Sequence, residues 1–347
     1  MEIQSILERA INLGASDVHL TVGKPPVYRR HGELKPDSEN ALVLQNKVLE
    51  SFARDVMDDS QWETFQEEGQ VDFAYSLSGI GRFRISFFRQ RGSIAVALRI
   101  VNSQIQPLDD LGLPPVIHSF LNMHRGLVIV AGPVASGKST TLAAIVDNLN
   151  SEKNYHIITL EDPIELLHKH KQSIVNQREI GSDSKSFADG VKSALRQDPD
   201  VLVISEMRDM ETINAALAAA ESKCLVFAAV RTNNSVQTID RIVDVFPPHH
   251  QQQVRIQLSE VLQGIIAQQL VPRLDKPEMV PAVEVMLAVP AIRNLIREGK
   301  TYQIISVMQT ANKQGMATMD SALKHLYQKG IISREELIFR GYERSGI

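Results

Sequence analysis

The stretch Leu127-Val-Ile-Val-Ala-Gly-Pro-Val-Ala-Ser-Gly-Lys-Ser-Thr-Thr-Leu142 decides how the chain is read. Leu127 to Val130 is a short apolar run, the pattern of a strand buried on both faces of a parallel sheet. The run breaks at Gly132-Pro133, and Gly132, Gly137, Lys138 and Ser139 then satisfy G-x-x-x-x-G-K-[ST]. After them Leu142, Ala143, Ile145, Val146 and Leu149 recur at helical spacing. Strand, glycine loop and helix are the context that this phosphate-binding pattern requires. Loop N–H groups and the helix N-terminus offer partial positive charge to phosphate oxygens. Gly132, Pro133, Ser136, Gly137, Lys138, Ser139 and Thr140 are the candidate nucleotide-binding residues. Gly137 permits close backbone approach. Lys138 would reach the β- and γ-phosphates, and Ser139 would hold Mg2+.

The 347 residues suffice for two domains. With 43% hydrophobic and 22% charged residues, the chain has the composition of a globular protein with a sizeable core. A net charge of −4 argues against a partner held by bulk charge, so no nucleic acid is expected. The single Cys224 excludes an internal disulfide and any four-cysteine zinc site. The N-terminus lacks the basic and apolar regions of a signal peptide, and no apolar run approaches the ~20 residues that span a bilayer. A cytoplasmic location is expected.

Taken in order, residues 2–14 read as an amphipathic helix closed by Gly14, and Ala15 to Val22 as a strand in which His19 is a structural residue. Val71 to Val101 reads as an antiparallel unit with turns at Ser78–Gly81 and near Arg91-Gly92. Phe83, Ile85 and Phe87 share one face there, and Arg82 and Arg84 the other. Arg89, Arg91 and Arg99 complete five arginines on one small sheet. They form either a solvated strand face or a surface for phosphates, whose oxygens guanidinium matches bidentately. Gln104 to Pro115 reads as a linker.

Beyond the P-loop, a strand at Tyr155 to Leu160 ends in Glu161-Asp162-Pro163-Ile164-Glu165, and a strand at Val201 to Ile204 ends in Ser205-Glu206. Ligands of parallel sheets bind beyond the carboxyl ends of the strands. Acids there read as groups that hold Mg2+ or handle the attacking water. A helix from Ser186 to Arg196, a helix at Thr212 to Ala220, a strand at Leu225 to Val230 and a short helix before Pro247 follow. His249 and His250 read as solvent-facing loop residues, and 252–270 as an amphipathic helix. Strand-like segments near Gln268–Val271 and Ala282–Leu287 precede a helical tail over 290–347. The fold class is α/β, with a mixed α+β domain over 1–103, the linker over 104–115 and a P-loop domain over 116–347.

The P-loop, Leu160-Glu161-Asp162-Pro163-Ile164-Glu165, Ser205-Glu206-Met207-Arg208-Asp209 and Thr238-Ile239-Asp240-Arg241-Ile242-Val243-Asp244-Val245-Phe246-Pro247 together resemble the secretion-type ATPases, the hexameric motors of type IV pili and type II secretion. Ala15-Ser16-Asp17-Val18-His19-Leu20 and Ala291-Ile292-Arg293-Asn294-Leu295-Ile296-Arg297-Glu298 resemble the pilus-retraction branch, as does the lack of a zinc module. The resemblance implies a PAS-like N-terminal domain, a RecA-like P-loop NTPase domain and a ring of six subunits. That ring would hydrolyse ATP with Mg2+, act on an inner-membrane platform protein from the cytoplasmic face, peripheral to the membrane, and drive pilus retraction and twitching motility. It assigns catalysis to Glu165, Glu206 and Lys138, and Mg2+ to Ser139 and Glu206. Contact with the γ-phosphate falls to Arg82, Arg84 and Arg99, which favours the phosphate reading of the arginine face.

The sequence departs from that family at a few places. Ala135 stands where glycine is usual, Ser205 where glycine precedes the acid, Ser222-Lys223-Cys224 for Thr-Gly-His and Val230-Arg231-Thr232 for Leu-His-Thr. Both family histidines are missing. Arg231 keeps a donor and adds a fixed charge, so it is a further candidate for the γ-phosphate, and slowed cycling is expected. The competing readings are an accessory paralogue that joins a mixed hexamer and modulates a main motor, and an assembly or type II secretion ATPase. The stretch Ala291 to Glu298 and the absent cysteines weigh against the second. A nucleic-acid translocase would need a basic channel that the charge balance does not suggest.

Overall fold

Period-two alternation builds the first part of the chain. In the computed structural model, which describes residues 3–30, 32–37, 43–77, 80–101, 104–311 and 315–341, it forms one compact unit, Met1–Gln104. Helix α1 (Ile3–Asn12) buries Ile6, Leu7 and Ala10. Strands β1 (Asp17–Thr21), β2 (Val27–Arg30) and β3 (Glu33–Pro36) follow. Helices α2 (Asn46–Val56) and α3 (Asp59–Glu68) precede strands β4 (Gln70–Leu77), β5 (Gly81–Gln90) and β6 (Ser93–Val101). The strands form an antiparallel sheet in the order β3-β2-β1-β6-β5-β4. Phe83, Ile85 and Phe87 point into a core shared with Leu49, Phe52 and Ala53 of α2 and Phe65 of α3. The β5–β6 hairpin turns at Arg91-Gly92, both at positive φ (50° and 76°), the geometry that suits the twist of paired strands. The turn expected at Ser78–Gly81 begins at Ser78 and Gly79, which lie outside the described residues.

The second unit is Ile105–Ile347. Its first segment, read as a linker, is docked: Leu108 packs beside Ile117, Phe120 and Leu142 in the core. Helix α4 (His118–Leu121) leads to β7 (Gly126–Ala131), α5 (Lys138–Glu152), β8 (His156–Glu161), β9 (Ile174–Glu179), α6 (Phe187–Ala194) and β10 (Val201–Ile204). Helix α7 (Met210–Glu221), β11 (Leu225–Val230), α8 (Ser235–Asp244), α9 (Pro248–Val261), β12 (Leu262–Pro272) and β13 (Met279–Leu287) follow. Helices α10 (Pro290–Glu298), α11 (Ile304–Thr310), α12 (Met319–Gln328) and α13 (Arg334–Arg340) complete the helical tail. The sheet order is β13-β12-β7-β11-β10-β8-β9, parallel throughout except for the β12–β13 pair. Every residue of β7, β10 and β11 is buried, as strands covered by helices on both faces must be.

Two segments differ from the sequence reading. The helix expected over 252–270 ends at Val261, and Leu262–Pro272 is strand β12. Leu262, Ile265 and Ile266 suit a buried helix and a buried strand equally. Tertiary structure decides: the segment pairs with β7 on one side and β13 on the other. Gly264 lies so close to Phe120 that an added Cβ would stand 2.4 Å from its Cζ. His249 and His250 are exposed, but they sit in the first turn of α9 rather than a loop, because Pro248 at its first position presets a helical φ.

Candidate active site

The strand ends at Ala131, Glu161, Ile204 and Val230 deliver the motif residues to one edge of the parallel sheet. Lys138, Ser139, Glu161, Asp162, Glu165, Ser205, Glu206 and Arg231 line a single cleft there. The P-loop forms one wall. Its turn is tight: a Cβ on Gly132 would stand 2.2 Å from Ser136 Oγ. Gly137 has φ 89° and starts α5. Ala135 has φ 62°, the left-handed region in which a Cβ costs about 1–2 kcal/mol. The usual glycine there would avoid that strain.

Behind the loop stands a residue that sequence reasoning missed. Gln268 of β12 is buried. Its Nε2 donates to the Ser136 carbonyl at 2.7 Å, and its Oε1 accepts from Thr141 Oγ1 at 2.9 Å. One amide thus ties the loop and the first turn of α5 to the neighbouring strand. Gln268 lies between the apolar Ile265-Ile266-Ala267 and Leu270-Val271, but Gln263 and Gln269 share that stretch, so the sequence alone does not single it out. Ser136 Oγ, buried under the turn, has no hydrogen-bond partner among the described residues. Gly137 and Thr140 line a second cleft on the other side of the loop, with Leu111, Gly112, Gln268 and Leu270.

Lys138 Nζ donates to the carbonyls of Gly132 (2.8 Å) and Pro133 (2.7 Å). Burial lowers its pKa and the positive charge of Arg231 lowers it further, while Glu206 and Glu165 oppose both. Across the cleft, Arg231 Nη2 donates to Glu206 Oε2 at 2.7 Å. The guanidinium is 59% exposed and the carboxylate 18%. The chain that carries Arg231 is firmly set. Thr232 and Thr238 hydroxyls meet at 2.7 Å, and the Asn234 side chain accepts from Gln237 N at 2.8 Å to cap α8. The buried Glu284 of β13 accepts from the backbone N–H of Ser235 (2.6 Å) and of Met319 (3.0 Å). Burial raises the Glu284 pKa, and these bonds partly offset the rise.

The acidic loop after β8 is the third wall. Glu161 accepts from Thr159 Oγ1 (2.7 Å) and Gln177 Nε2 (2.9 Å). Burial nevertheless raises its pKa. Asp162 and Glu165 are exposed to the cleft. Among the described residues, no three acid, histidine or cysteine side chains converge as a metal cage. The donor set instead fits Mg2+ held jointly with phosphate: one hydroxyl (Ser139) and one carboxylate (Glu206) line the same cleft, and Mg2+ is ordinarily bound through one or two carboxylates plus substrate oxygens.

Cys224 and Arg231, which stand where the family has histidines, lie at opposite ends of β11, about 20 Å apart at the strand rise. Cys224 is 2% exposed, and burial pushes its thiol up to about 12. It plays no part in the cleft. The five arginines of the first unit also divide. Arg84 stands opposite Arg99 in the β5–β6 register, with Arg82 two residues along. Arg82 Nη1 donates to Ser76 Oγ at 3.1 Å, and Arg99 Nε to Asp17 at 2.9 Å. Arg89 instead bonds Gln66 at the far end of β5, and Arg91 lies in the hairpin turn.

Residues 1–303 match the family described as Type II/IV secretion system protein, T2SSE. The chain belongs to that family. It is 44% identical to the type IV pilus retraction ATPase PilT of Pseudomonas aeruginosa over 335 residues, 96% of each chain. It is 42% identical to the twitching motility protein of Neisseria gonorrhoeae, over 89% of this chain and 82% of the relative. Among solved structures it resembles the pilus retraction motor PilT with bound ADP, at a TM-score of 0.89 and 46% identity over 99% of this chain and 98% of the other. The fold is therefore shared with that motor over 99% of this chain, the RecA-like ATPase unit included.

Proposed function

We propose that this chain is an ATP-hydrolysing subunit of a hexameric motor that drives retraction in a type IV pilus system. One observation carries the reading: the P-loop, Glu165, Glu206 and Arg231 share a cleft in a chain that aligns end to end with a retraction ATPase. Lys138 would leave the Gly132 and Pro133 carbonyls for the β- and γ-phosphates as a triphosphate enters. The cleft beyond Thr140 leaves room for the base. Ser139 and Glu206 would hold Mg2+, which neutralises charge building on the phosphate oxygens. Glu165 would orient the attacking water and accept its proton. Arg231 would pass from Glu206 to the γ-phosphate.

Arg82, Arg84 and Arg99 share a strand face suited to phosphate oxygens, and the family resemblance supports a γ-phosphate role for them. Two compact units support a division near residue 104, with an N-terminal domain followed in the chain by the ATPase domain. Among the described residues no helix is long and apolar enough to cross a membrane. A subunit peripheral to the cytoplasmic face, acting on an inner-membrane platform protein, fits the reading.

A second reading is favoured by the Arg231–Glu206 pair. A permanent cation on the carboxylate that would face Mg2+ slows each cycle, as expected of an accessory subunit mixed with a faster motor. Steady-state ATP hydrolysis by the purified hexamer tests both. Family-level turnover that collapses in Lys138→Ala supports the motor. Background turnover that rises at least tenfold in Arg231→His supports the accessory subunit. Turnover at background in both proteins, with no ATP binding, refutes the ATPase. In cells, a deletion strain complemented with Lys138→Ala should be hyperpiliated and unable to twitch; normal twitching would refute a role in retraction.

A further inference from the structure

We propose that Gln177 of β9 is the positioning residue for Glu165, a role that rests on the catalytic assignment of Glu165 above. β8 and β9 run in parallel register, with Thr159 opposite Gln177 and Glu161 opposite Glu179. The four polar side chains therefore project from one face of two neighbouring strands, at the end where the acidic loop begins. That loop lies outside strands β8 and β9, where buried N–H and C=O groups are met in part by side chains.

Side chains of β9 do so here. Gln177 Nε2 donates both to Glu161 Oε1 (2.9 Å) and to the Leu166 carbonyl (2.8 Å). Gln177 Oε1 accepts the His168 N–H at 2.8 Å. Glu179 Oε2 accepts the Ile164 N–H at 3.1 Å. Residues 164, 166 and 168, which flank Glu165, are thus held by β9 side chains, and the single Gln177 amide accounts for two of the three bonds. Glu165 itself is exposed at the cleft, so its carboxylate takes its position from this clamped backbone.

The prediction separates positioning from folding and from binding. Neither Gln177 nor Glu179 lines the cleft, and the P-loop that binds phosphate is held separately by Gln268. Gln177→Ala should lower kcat about 10- to 100-fold, the range seen when a group that orients a catalytic side chain is lost, with KM and the ADP Kd within twofold of wild type. Gln177→Glu keeps the shape and the acceptor for the His168 N–H but loses the donations to Glu161 and the Leu166 carbonyl; it should show the same split, and a melting temperature near that of wild type in at least one of the two variants guards against a folding defect. In a Glu165→Ala background the effect should vanish, with Gln177→Ala changing the residual rate less than twofold. The proposal is overturned by wild-type kcat in Gln177→Ala, by an equal loss of ADP binding, or by the full loss persisting without Glu165. Wild-type protein that binds ATP without turning it over would sink the functional reading and this one together; an active wild type beside an equally active Gln177→Ala would sink this one alone.

Discussion

Gly264→Ala reads out, by the sign of its effect, which structure residues 262–270 adopt. In an exposed helix the change would stabilise by about 1 kcal/mol, because glycine is the poorer helix former. In β12 the new methyl would stand 2.4 and 2.6 Å from Phe120 Cζ and Cε1 and 2.7 Å from the Met286 carbonyl oxygen. Phe120 is fully buried, and the carbonyl belongs to the paired strand β13, so neither neighbour can simply move aside. Overpacking of a tight core costs about 1–3 kcal/mol, and a backbone contact puts this site at the upper end. A loss near 3 kcal/mol lowers the melting temperature of a unit this size by roughly 6–12 °C, whereas the helical case raises it by a few degrees. Thermal melts followed by circular dichroism distinguish the two. A companion Phe120→Leu should recover part of the loss in the double variant, since two of the three contacts involve the ring. An unchanged or raised melting temperature for Gly264→Ala would refute the strand packing.

Three further outcomes concern individual residues. Ala135→Gly should stabilise by about 0.5 kcal/mol, the relief of left-handed strain less the larger unfolded-state entropy of glycine, while Ala135→Val should lose more than about 1 kcal/mol; the same denaturation curves decide, and a destabilised glycine variant would contradict the φ assigned to Ala135. Arg231→Ala should cost no more than about 0.5 kcal/mol, because an exposed guanidinium is screened by water, yet lower turnover at least tenfold; a large stability loss with normal turnover would remove Arg231 from catalysis. Cys224, with its thiol pushed up to about 12 by burial, holds almost no thiolate at pH 8 and should resist a disulfide reagent until the protein unfolds. Reaction within minutes in the native protein would show the site is open, and Cys224→Ser should leave turnover within twofold.

Much of the second unit was legible because its cues are local. The strand-loop-helix of residues 127–149 carries its own spacing, and Ser186 and Ser205-Glu206 mark the ends of elements by chemistry that acts within a few residues. The helix-versus-strand ambiguity at 262–270 had no local solution, since only pairing with β7 and β13 separates the two. The same distinction runs through the site. Lys138, Glu165 and Glu206 were found from motifs. Gln268, Gln177 and Glu179 were not, because each acts on a loop outside its own strand, 9 to 15 residues away for the β9 pair and 132 for Gln268. Cys224 and Arg231 both stand where the family has histidines, and the strand between them sets them at opposite ends of the sheet.

The β8–β9 register also governs which changes in length this chain tolerates. Residues 168–173 are held too: Gln177 accepts the His168 N–H, and Asn150 bonds the Lys169 carbonyl and the Lys171, Gln172 and Ser173 N–H groups, so a change of length there breaks these contacts. Within Ile174–Glu179 even a single inserted residue would turn Gln177 and Glu179 to the opposite face of the sheet and leave the acidic loop without its supports. Within the strand only an even shift would preserve the parity on which the clamp depends.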